Sequence, residues 1–286
     1  FLTDDDLDEV EINAPKLLNH LALEDVKPES DGNWYGIKAL AVLKGDIDNL
    51  GAIFQDGLEQ PSFAKMVALS RQVNNFFAVY LPYLCQSQSK YQNTYIVFAG
   101  GDDFFLLGSW HQLIDLANEL RKEFSRYVVN NQIHFSAGLT VMKPKIPIYQ
   151  LAEIAEEALE QAKRRKVKDK NGAFIKDENG KDKIFKNGVT CFKQTVSWDD
   201  FEKLTTERYD RLEDLRKEYD LSTAYVYGLL RLTDMAADSN KPENWLWRSQ
   251  LYYRTYRAIA NKRDLEKEAK KRACEKLTHD IGKLGI

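Results

Sequence analysis

Apolar residues in the first part of the chain recur with two different periods, one typical of strands and one typical of helices. An apolar run with β-branched members covers 37–46 and ends in Gly-Asp, which predicts a buried strand. Apolar residues then recur at helical spacing over 63–81, after the candidate N-cap Ser62, and Pro82 predicts the end of this helix. The first domain is therefore expected to begin with a strand and a helix.

The next apolar runs are short and enclose small and acidic residues. Residues 95–99 and 104–108 flank the sequence Gly-Gly-Asp-Asp at 100–103. Glycine reaches positive φ without steric cost, so this composition predicts a β-hairpin whose turn is the tetrapeptide.

A second helix and a further strand complete the order of elements. Apolar residues lie on one helical face over 113–127, and they alternate with polar residues over 135–141. The order β-α-β-β-α-β is that of the ferredoxin-like fold, in which an antiparallel sheet carries both helices on one face. The sequence therefore predicts an α+β domain of this type.

Polar segments lie on either side of this core pattern. Residues 1–35 are acidic and rich in turn residues, which predicts a linker. After the core pattern, a helix is predicted over 148–162, a hairpin or flexible excursion over 169–188 and a strand over 189–192.

From residue 197 onward every periodic segment is helical. Ser197 and Ser222 are candidate helix starts, and Glu243 is predicted to open a long helix that reaches the Lys/Arg-rich end of the chain. We therefore expect a domain boundary near residue 195, with an α+β domain over 36–195 and a helical domain over 196–286.

Composition places the chain among folded proteins and gives no global attraction to polyanions. Of 286 residues, 43% are hydrophobic and 30% are charged, and the formal net charge is -3. Any site for nucleic acid or nucleotide must therefore come from local clusters of Lys and Arg.

Cysteine usage and hydropathy predict a reduced, cytoplasmic setting. Cys85, Cys191 and Cys274 are far apart and form no CxxC pair, so neither a disulfide framework nor a zinc ribbon is indicated. No apolar run approaches the roughly 20 residues needed to span a bilayer. The chain starts at Phe1 rather than Met, which predicts a piece of a longer protein.

Two pairs of acidic residues are expected to meet at one edge of the sheet. Asp46 and Asp48 end the first strand, and Asp102 and Asp103 lie in the hairpin turn. In the predicted topology these strands are neighbours. Clustered carboxylates repel each other unless they bind a cation, and hard oxygen ligands suit Mg²⁺ or Mn²⁺, so a divalent-metal site is predicted.

A metal beside a glycine-rich turn indicates phosphoryl or nucleotidyl transfer. Gly100 and Gly101 permit a close approach of a triphosphate to the backbone. Two metals would stabilise the attacking and leaving oxygens, so no side-chain nucleophile is required. The alternative for Gly-Gly-Asp-Asp alone is an ordinary solvated turn, and the strand that ends at Asp46 argues against it.

Three segments resemble successive motifs of the Cas10 (Csm1-type) family of CRISPR subunits. They are KGDIDNLG at 44–51, FAGGDDFF at 98–105, and KNGVTCF at 186–192 with the following Val196 to Trp198. The resemblance runs from about residue 37 to the end of the chain, and it implies the second palm domain and the C-terminal helical domain of such a subunit.

The resemblance implies an activity and partners. The activity is conversion of ATP into cyclic oligoadenylates by a target-RNA-activated type III complex. The implied partners are a Csm4-like subunit, the small subunit, guide RNA and target RNA. A non-catalytic scaffold or RNA-proximal module is the alternative, and the presence of all the acids in the motifs favours catalysis.

The resemblance also implies roles for particular residues. Metals would be held by Asp46, the Ile47 carbonyl, Asp102 and Asp103, with Asp48 outside the first coordination shell. The nucleotide would be bound by Asn49, Gly51, Gly100 and Gly101. Lys163 is a further candidate, because it falls where the related diguanylate cyclases carry a lysine that contacts the triphosphate. Because Lys and Arg are enriched at helix C-termini for reasons of the helix dipole, Lys163 also has a purely structural interpretation.

Diguanylate cyclases share the palm and the glycine-rich turn and are the nearest enzymatic rival. Where they carry the guanine-reading Asn-Asp pair, this chain has Phe54 and Gln55, and the second turn acid is Asp103 rather than Glu. Their inhibitory Arg-x-x-Asp motif is absent, since no Arg lies between Arg71 and Arg121. Guanine specificity is therefore disfavoured.

Two weaker signals lie in the predicted helical domain. Aromatic residues between 245 and 256 are interleaved with Arg and Lys, which indicates either an RNA-binding surface or an aromatic core stripe. The dipeptide His279-Asp280 lacks the further histidines and acids of an HD phosphohydrolase, so nuclease chemistry of that type is not predicted here.

Overall fold

The computed structural model describes residues 16–28, 34–57, 60, 62–130, 132–169, 173–238, 241–260 and 266–283. The chain forms two compact units, 1–202 and 203–286. The division falls a few residues after the boundary expected near 195.

The first unit contains all the strands of the described part of the chain. Its elements are α1 (Leu18–Leu23), β1 (Lys27–Pro28), β2 (Trp34–Tyr35), β3 (Leu40–Ile47), α2 (Leu50–Asp56), α3 (Phe63–Asn75), a π-helical turn (Phe76–Tyr80), α4 (Leu81–Ser87), a 3-10 turn (Ser89–Tyr91), β4 (Tyr95–Gly100), β5 (Asp103–Ser109), α5 (Trp110–Val128), β6 (Phe135–Met142), α6 (Ile148–Lys163), β7 (Gly188–Cys191), β8 (Gln194–Ser197) and α7 (Trp198–Lys203).

Six of these strands form one sheet in the order β4-β5-β3-β6-β7-β8. The first four pair antiparallel, and β7 joins β6 in parallel before β8 closes the edge. The order of the first four strands is that of a ferredoxin-like sheet, so the predicted α+β fold is confirmed. Strands β7 and β8 extend it beyond β6.

Both faces of the sheet are covered by helices, so its central strands are buried on both sides. On one face, Phe77, Phe104, Phe124 and Phe135 form an aromatic cluster with ring centroids 5.1 to 5.7 Å apart in the closest pairs. On the other face, α6 packs so closely that a Cβ on Gly138 would lie 2.5 Å from the backbone nitrogen of Leu159. Helix α6 is therefore packed tightly against β6.

Two sequence expectations about this unit are wrong. The predicted linker over 1–35 contains helix α1, because Leu21 and Ala22 supply a buried face that packs with Leu40. Pro82 does not end the helix predicted over 63–81, because the helical segment continues as α4 to Ser87. The π-helical turn at 76–80 precedes this proline and shifts the hydrogen-bond register, so that Pro82 lies in the first turn of α4, where its missing N–H costs little.

The second unit is helical throughout its described residues. Its elements are a π-helical turn (Leu204–Arg208), α8 (Tyr209–Glu218), α9 (Thr223–Ala237), a 3-10 turn (Pro242–Leu246), α10 (Trp247–Ala260) and α11 (Lys267–Lys283). The single long helix expected from Glu243 is wrong, because α10 and α11 pack against each other. Their shared core contains Leu251, Cys274 and Leu277.

No helix in the described ranges is long and apolar enough to cross a membrane. The cysteines are all buried thiols. Burial raises the pKa of Cys85 to about 11 and that of Cys191 to about 12, and it also raises the pKa of Cys274.

These thiols are expected to react slowly while the chain is folded. Each pKa unit lowers the thiolate fraction tenfold, so at pH 8 Cys85 should react with a disulfide reagent about 100-fold more slowly than it does after unfolding in urea. The rates can be followed by absorbance and assigned by peptide mass spectrometry. Rapid labelling of Cys85 in the folded chain would contradict the burial described above.

Candidate active site

The acidic strand end and the acidic turn lie side by side. In the pairing of β3 with β5, Asp46 is directly opposite Asp103. The backbone N–H of Ile47 donates a hydrogen bond of 3.0 Å to the carbonyl of Asp102. Directly paired residues on antiparallel strands point to the same face, so the structure brings the Asp46 and Asp103 side chains together at one sheet edge.

The turn itself depends on its glycines and on a residue from a neighbouring helix. Gly101 has φ of +63°, a left-handed conformation that glycine adopts without strain, and a Cβ there would meet no atom within 4 Å. Its N–H donates a 2.8 Å hydrogen bond to Oδ1 of Asn74 on α3. A Cβ on Gly100 would lie 3.4 Å from the same oxygen. Asn74 therefore holds the turn from the helical side.

Lys163, the last residue of α6, contacts the strand end directly. Its Nζ lies 2.8 Å from Oδ2 of Asp46, and both side chains are about one-quarter exposed, at 23% and 26%. Burial opposes the lysine charge, but the hydrogen bond and charge of Asp46 outweigh it and raise the pKa of Lys163. The ammonium group is therefore held at the acidic edge in its charged form.

The carboxylates at this edge are under electrostatic strain. Burial raises the pKa of Asp46 despite Lys163, and the charges of Asp102 and Asp103 raise it further. Burial also raises the pKa of Asp103, with a further contribution from Asp102 that Lys44 partly offsets. A divalent cation would relieve this repulsion, so the donor set fits Mg²⁺ or Mn²⁺.

The described residues contain no group of three or more His, Cys, Asp or Glu side chains that could hold a metal ion without another ligand. That observation is compatible with Mg²⁺ chemistry, because this ion keeps several waters and takes one or two carboxylates together with substrate phosphates.

Asn49 and Gly51 follow the strand end at the start of α2. Asn49 has φ of 57° and is exposed, and its side chain makes no capping hydrogen bond. Gly51 is exposed, and a Cβ there would meet no atom within 4 Å. Both residues are accessible beside the acidic edge.

The prediction that Asp48 joins Asp46 at the acidic edge is wrong, because β3 ends at Ile47 and the Asp48 side chain lies in a buried polar cluster instead. Its side chain is 1% exposed. It contacts Nδ1 of His134 at 2.7 Å and accepts hydrogen bonds from Ser136 Oγ at 2.9 Å and from the backbone N–H of Asn187 at 3.0 Å. Asp48 therefore joins the end of β3 to β6 and to the segment that enters β7.

The sequence predicted neither the contact of Asn74 with the turn nor the cluster around Asp48. Asn74 and His134 carried no motif, and their partners are far away in the sequence. The only available signal for the Asp48 cluster was its alternation with Asp46, which did not indicate burial.

Replacing Asn74 with alanine is expected to loosen the turn. The Gly101 amide would lose its acceptor, and its hydrogen exchange should accelerate about fivefold, the factor that corresponds to about 1 kcal/mol. Exchange in peptides that cover 98–104 measures this effect. Asn75→Ala is the matched control, since Asn75 is the exposed neighbour on the same helix, and equal exchange rates in the two variants would contradict the role of Asn74.

Comparison with known proteins places this site in a family. Residues 39–172 match the family described as Cas10/Cmr2, second palm domain. Over 175 residues the chain is 34% identical to a protein of Methanocaldococcus jannaschii named a CRISPR system single-strand-specific deoxyribonuclease Cas10/Csm1 of subtype III-A. The match covers 57% of this chain and 21% of the relative, so the chain spans about a fifth of the relative's length.

Solved structures share the fold. A Csm1–Csm4 cassette in complex with cA4 superposes with a TM-score of 0.60 at 20% identity, over 93% of this chain and 38% of that chain. A Csm1–Csm4 cassette in complex with one ATP gives a TM-score of 0.60 at 20% identity, over 93% and 37%. The resemblance inferred from the motifs is confirmed: residues 39–172 match the second palm domain of the Cas10/Cmr2 family, and the chain is similar to proteins named Cas10/Csm1.

Proposed function

We propose that this chain supplies one catalytic edge for nucleotidyl transfer from ATP, with cyclic oligoadenylate as the product. The observation that carries the proposal is the meeting of Asp46 and Asp103 at a glycine turn, beside the charged end of Lys163. In the reaction a ribose 3′ oxygen bonds to an α-phosphorus, the bond to the bridging oxygen breaks, and pyrophosphate leaves. The hydroxyl proton passes to solvent.

The acids and the backbone at the edge would hold Mg²⁺ or Mn²⁺. Asp46, Asp102 and Asp103 offer carboxylate oxygens, and Ile47 offers its carbonyl. When bound, such ions neutralise charge on the phosphates and lower the barrier to attack at phosphorus. The repulsion among the carboxylates supports this assignment, because it disappears when a cation is bound.

Lys163 and the turn would position the triphosphate. Lys163 forms an ion pair with Asp46. A cation at the acids would compete for Asp46 and free the ammonium group to bind a phosphate oxygen. The absence of side chains at Gly100 and Gly101 leaves the backbone open to the phosphates.

The surface beside the acidic edge favours adenine over guanine. Phe54 lies on α2, where the guanine-reading pair of the cyclases would stand, and it lines a cleft of about 350 Å³ together with Phe63, Met66, Val67, Ser70 and Arg71. The Phe54 side chain cannot hydrogen-bond the guanine edge as the Asn of that pair does, so selection for guanine at this position is lost. Asn49 and Gly51 border the same helix and remain proposed nucleotide contacts.

The assembly in which the chain works is also a proposal. Structures related in fold are Csm1–Csm4 cassettes, some with ATP or cA4. We infer a cytoplasmic type III complex in which this chain meets a Csm4-like subunit, the small subunit, guide RNA and target RNA. A second palm would complete the site. The deoxyribonuclease activity in the relative's name is assigned to no residue here, since His279-Asp280 lacks the further histidines and acids of an HD phosphohydrolase.

Incubation with ATP or GTP and Mn²⁺ tests the function. We expect cyclic oligoadenylate from ATP when the chain is assembled with its partner subunits and target RNA, and little product from the chain alone. Products are identified by mass spectrometry. A cyclic dinucleotide made from GTP would favour the diguanylate cyclase alternative. An intact, RNA-bound complex that makes no product would favour the scaffold alternative.

A further inference from the structure

The helical unit contains a positively charged cleft that is formed by its own helices. Helices α9 and α10 enclose about 710 Å³, and three arginines line the space, Arg231 from α9 and Arg254 and Arg257 from α10. No Asp or Glu lines it. A chain with a formal net charge of -3 thus concentrates three positive charges at one place.

Arg254 is held in the cleft without a carboxylate. Its Nε donates to the carbonyl of Tyr225 at 3.3 Å, and a terminal nitrogen donates to the carbonyl of Ala224. Gly228 makes room for it, because a Cβ there would lie 1.8 Å from the guanidinium carbon. A guanidinium has five N–H donors, so donors remain for a ligand.

The other two arginines are held by neutral groups. Arg231 donates to Oε1 of Gln250 at 2.7 Å, and the guanidinium of Arg257 lies 5.9 Å from the ring centroid of Tyr253. In the part of the chain that the structure describes, none of the three cleft arginines forms an ion pair. Tyr253 is 63% exposed, so its ring is accessible to a ligand.

We propose that this cleft binds a nucleotide unit of a single-stranded nucleic acid. Guanidinium groups match phosphate geometry with paired N–H donors, and an exposed tyrosine ring provides a face on which a base can stack. The cleft volume falls within the range of pockets that hold ligands of nucleotide size. The aromatic core stripe that the sequence also allowed is not formed, because Trp245, Tyr252, Tyr253 and Tyr256 are exposed and only Trp247 packs partly against the helical core.

Binding of a fluorescent ten-nucleotide single-stranded RNA to the full chain, followed by anisotropy at several salt concentrations, tests the proposal. Arg231→Gln with Arg257→Gln is expected to weaken binding about tenfold or more and to reduce the slope of log K against log salt by about 1.4, since each lost phosphate contact is worth about 0.7 on a single strand. Arg248→Gln with Lys267→Gln removes the same charge from exposed positions outside the cleft and is the matched control.

A second variant changes the cleft without changing its charge. Gly228→Ala would displace the Arg254 guanidinium while favouring the helix, so the chain should stay folded and bind the RNA several-fold more weakly.

Three outcomes would overturn the proposal. The first is unchanged RNA binding in both cleft variants. The second is equal weakening in the control pair, which would mean that only overall charge matters. The third is competition by inorganic phosphate or AMP as effective as that by unlabelled RNA at equal phosphate concentration, which would make the ligand a free phosphate or mononucleotide.

Discussion

Replacing Asp103 with asparagine in the assembled complex is expected to lower the conversion of ATP at least about 1000-fold, which corresponds to about 4 kcal/mol of lost transition-state stabilisation. The carboxylate lies opposite Asp46 in the strand register, so its loss would remove one of the two paired carboxylates at the edge. An amide retains the shape but has no negative charge for a divalent cation. Turnover is measured as product formed per complex with ATP in excess.

The same substitution should not damage the fold. Burial and the neighbouring Asp102 raise the pKa of Asp103, so the folded state holds a proton there more tightly than the unfolded state does. The stability contribution of this group therefore falls as pH rises through its folded pKa, and its charge lowers the stability of the metal-free chain at neutral pH. The melting temperature of the metal-free Asp103→Asn chain should equal or exceed that of the wild type.

Metal binding gives an independent readout of the same residue. Mn²⁺ should raise the melting temperature of the wild-type chain in the presence of ATP, and this rise should be lost in Asp103→Asn. Glu156→Gln is the matched control, because Glu156 pairs with Lys44 beside the edge rather than within the acidic set. A variant that keeps more than about a tenth of wild-type turnover would rule out a role for Asp103 at the reacting phosphate.

The sequence predicted the site because local patterns and topology agreed. A strand ending in Gly-Asp, a glycine turn and a β-α-β-β-α-β order together place Asp46 beside Asp103, and the strand register has that arrangement. The comparison with diguanylate cyclases also pointed to Lys163, whose helix α6 packs tightly against Gly138.

Other features depend on contacts that no local pattern encodes. Asn74 reaches Gly101 across 27 positions in sequence, and the residues that surround Asp48 come from segments 86 to 139 positions away. The π-helical turn at 76–80 shifts the hydrogen-bond register, so Pro82 does not end the helix. Helix periodicity alone assumes regular hydrogen bonding and therefore does not predict this shift. Helix α1 was hidden by its acidic surroundings, since its buried face is short.

Replacing Asp48 with alanine is expected to lower the free energy of unfolding of the first unit by about 3 kcal/mol or more, because buried donors would lose a charged acceptor. Those donors belong to His134, Ser136 and Asn187. Asp48→Asn keeps the shape and one acceptor, so its cost should be about half as large. Native-state hydrogen exchange in peptides from β6 and β7 measures the free energy of opening in each variant.

The exposed Asp56 at the end of α2 provides the control, since Asp56→Ala should change the free energy by less than about 0.5 kcal/mol. An Asp48→Ala chain within about 1 kcal/mol of the wild type would show that the cluster is not needed for stability. A large loss of stability would also be expected to affect catalysis. Asp48 fixes the backbone two residues after Asp46, so loosening it would move the Ile47 carbonyl and Asp46 together, and ATP turnover should then fall even at temperatures where the chain remains folded.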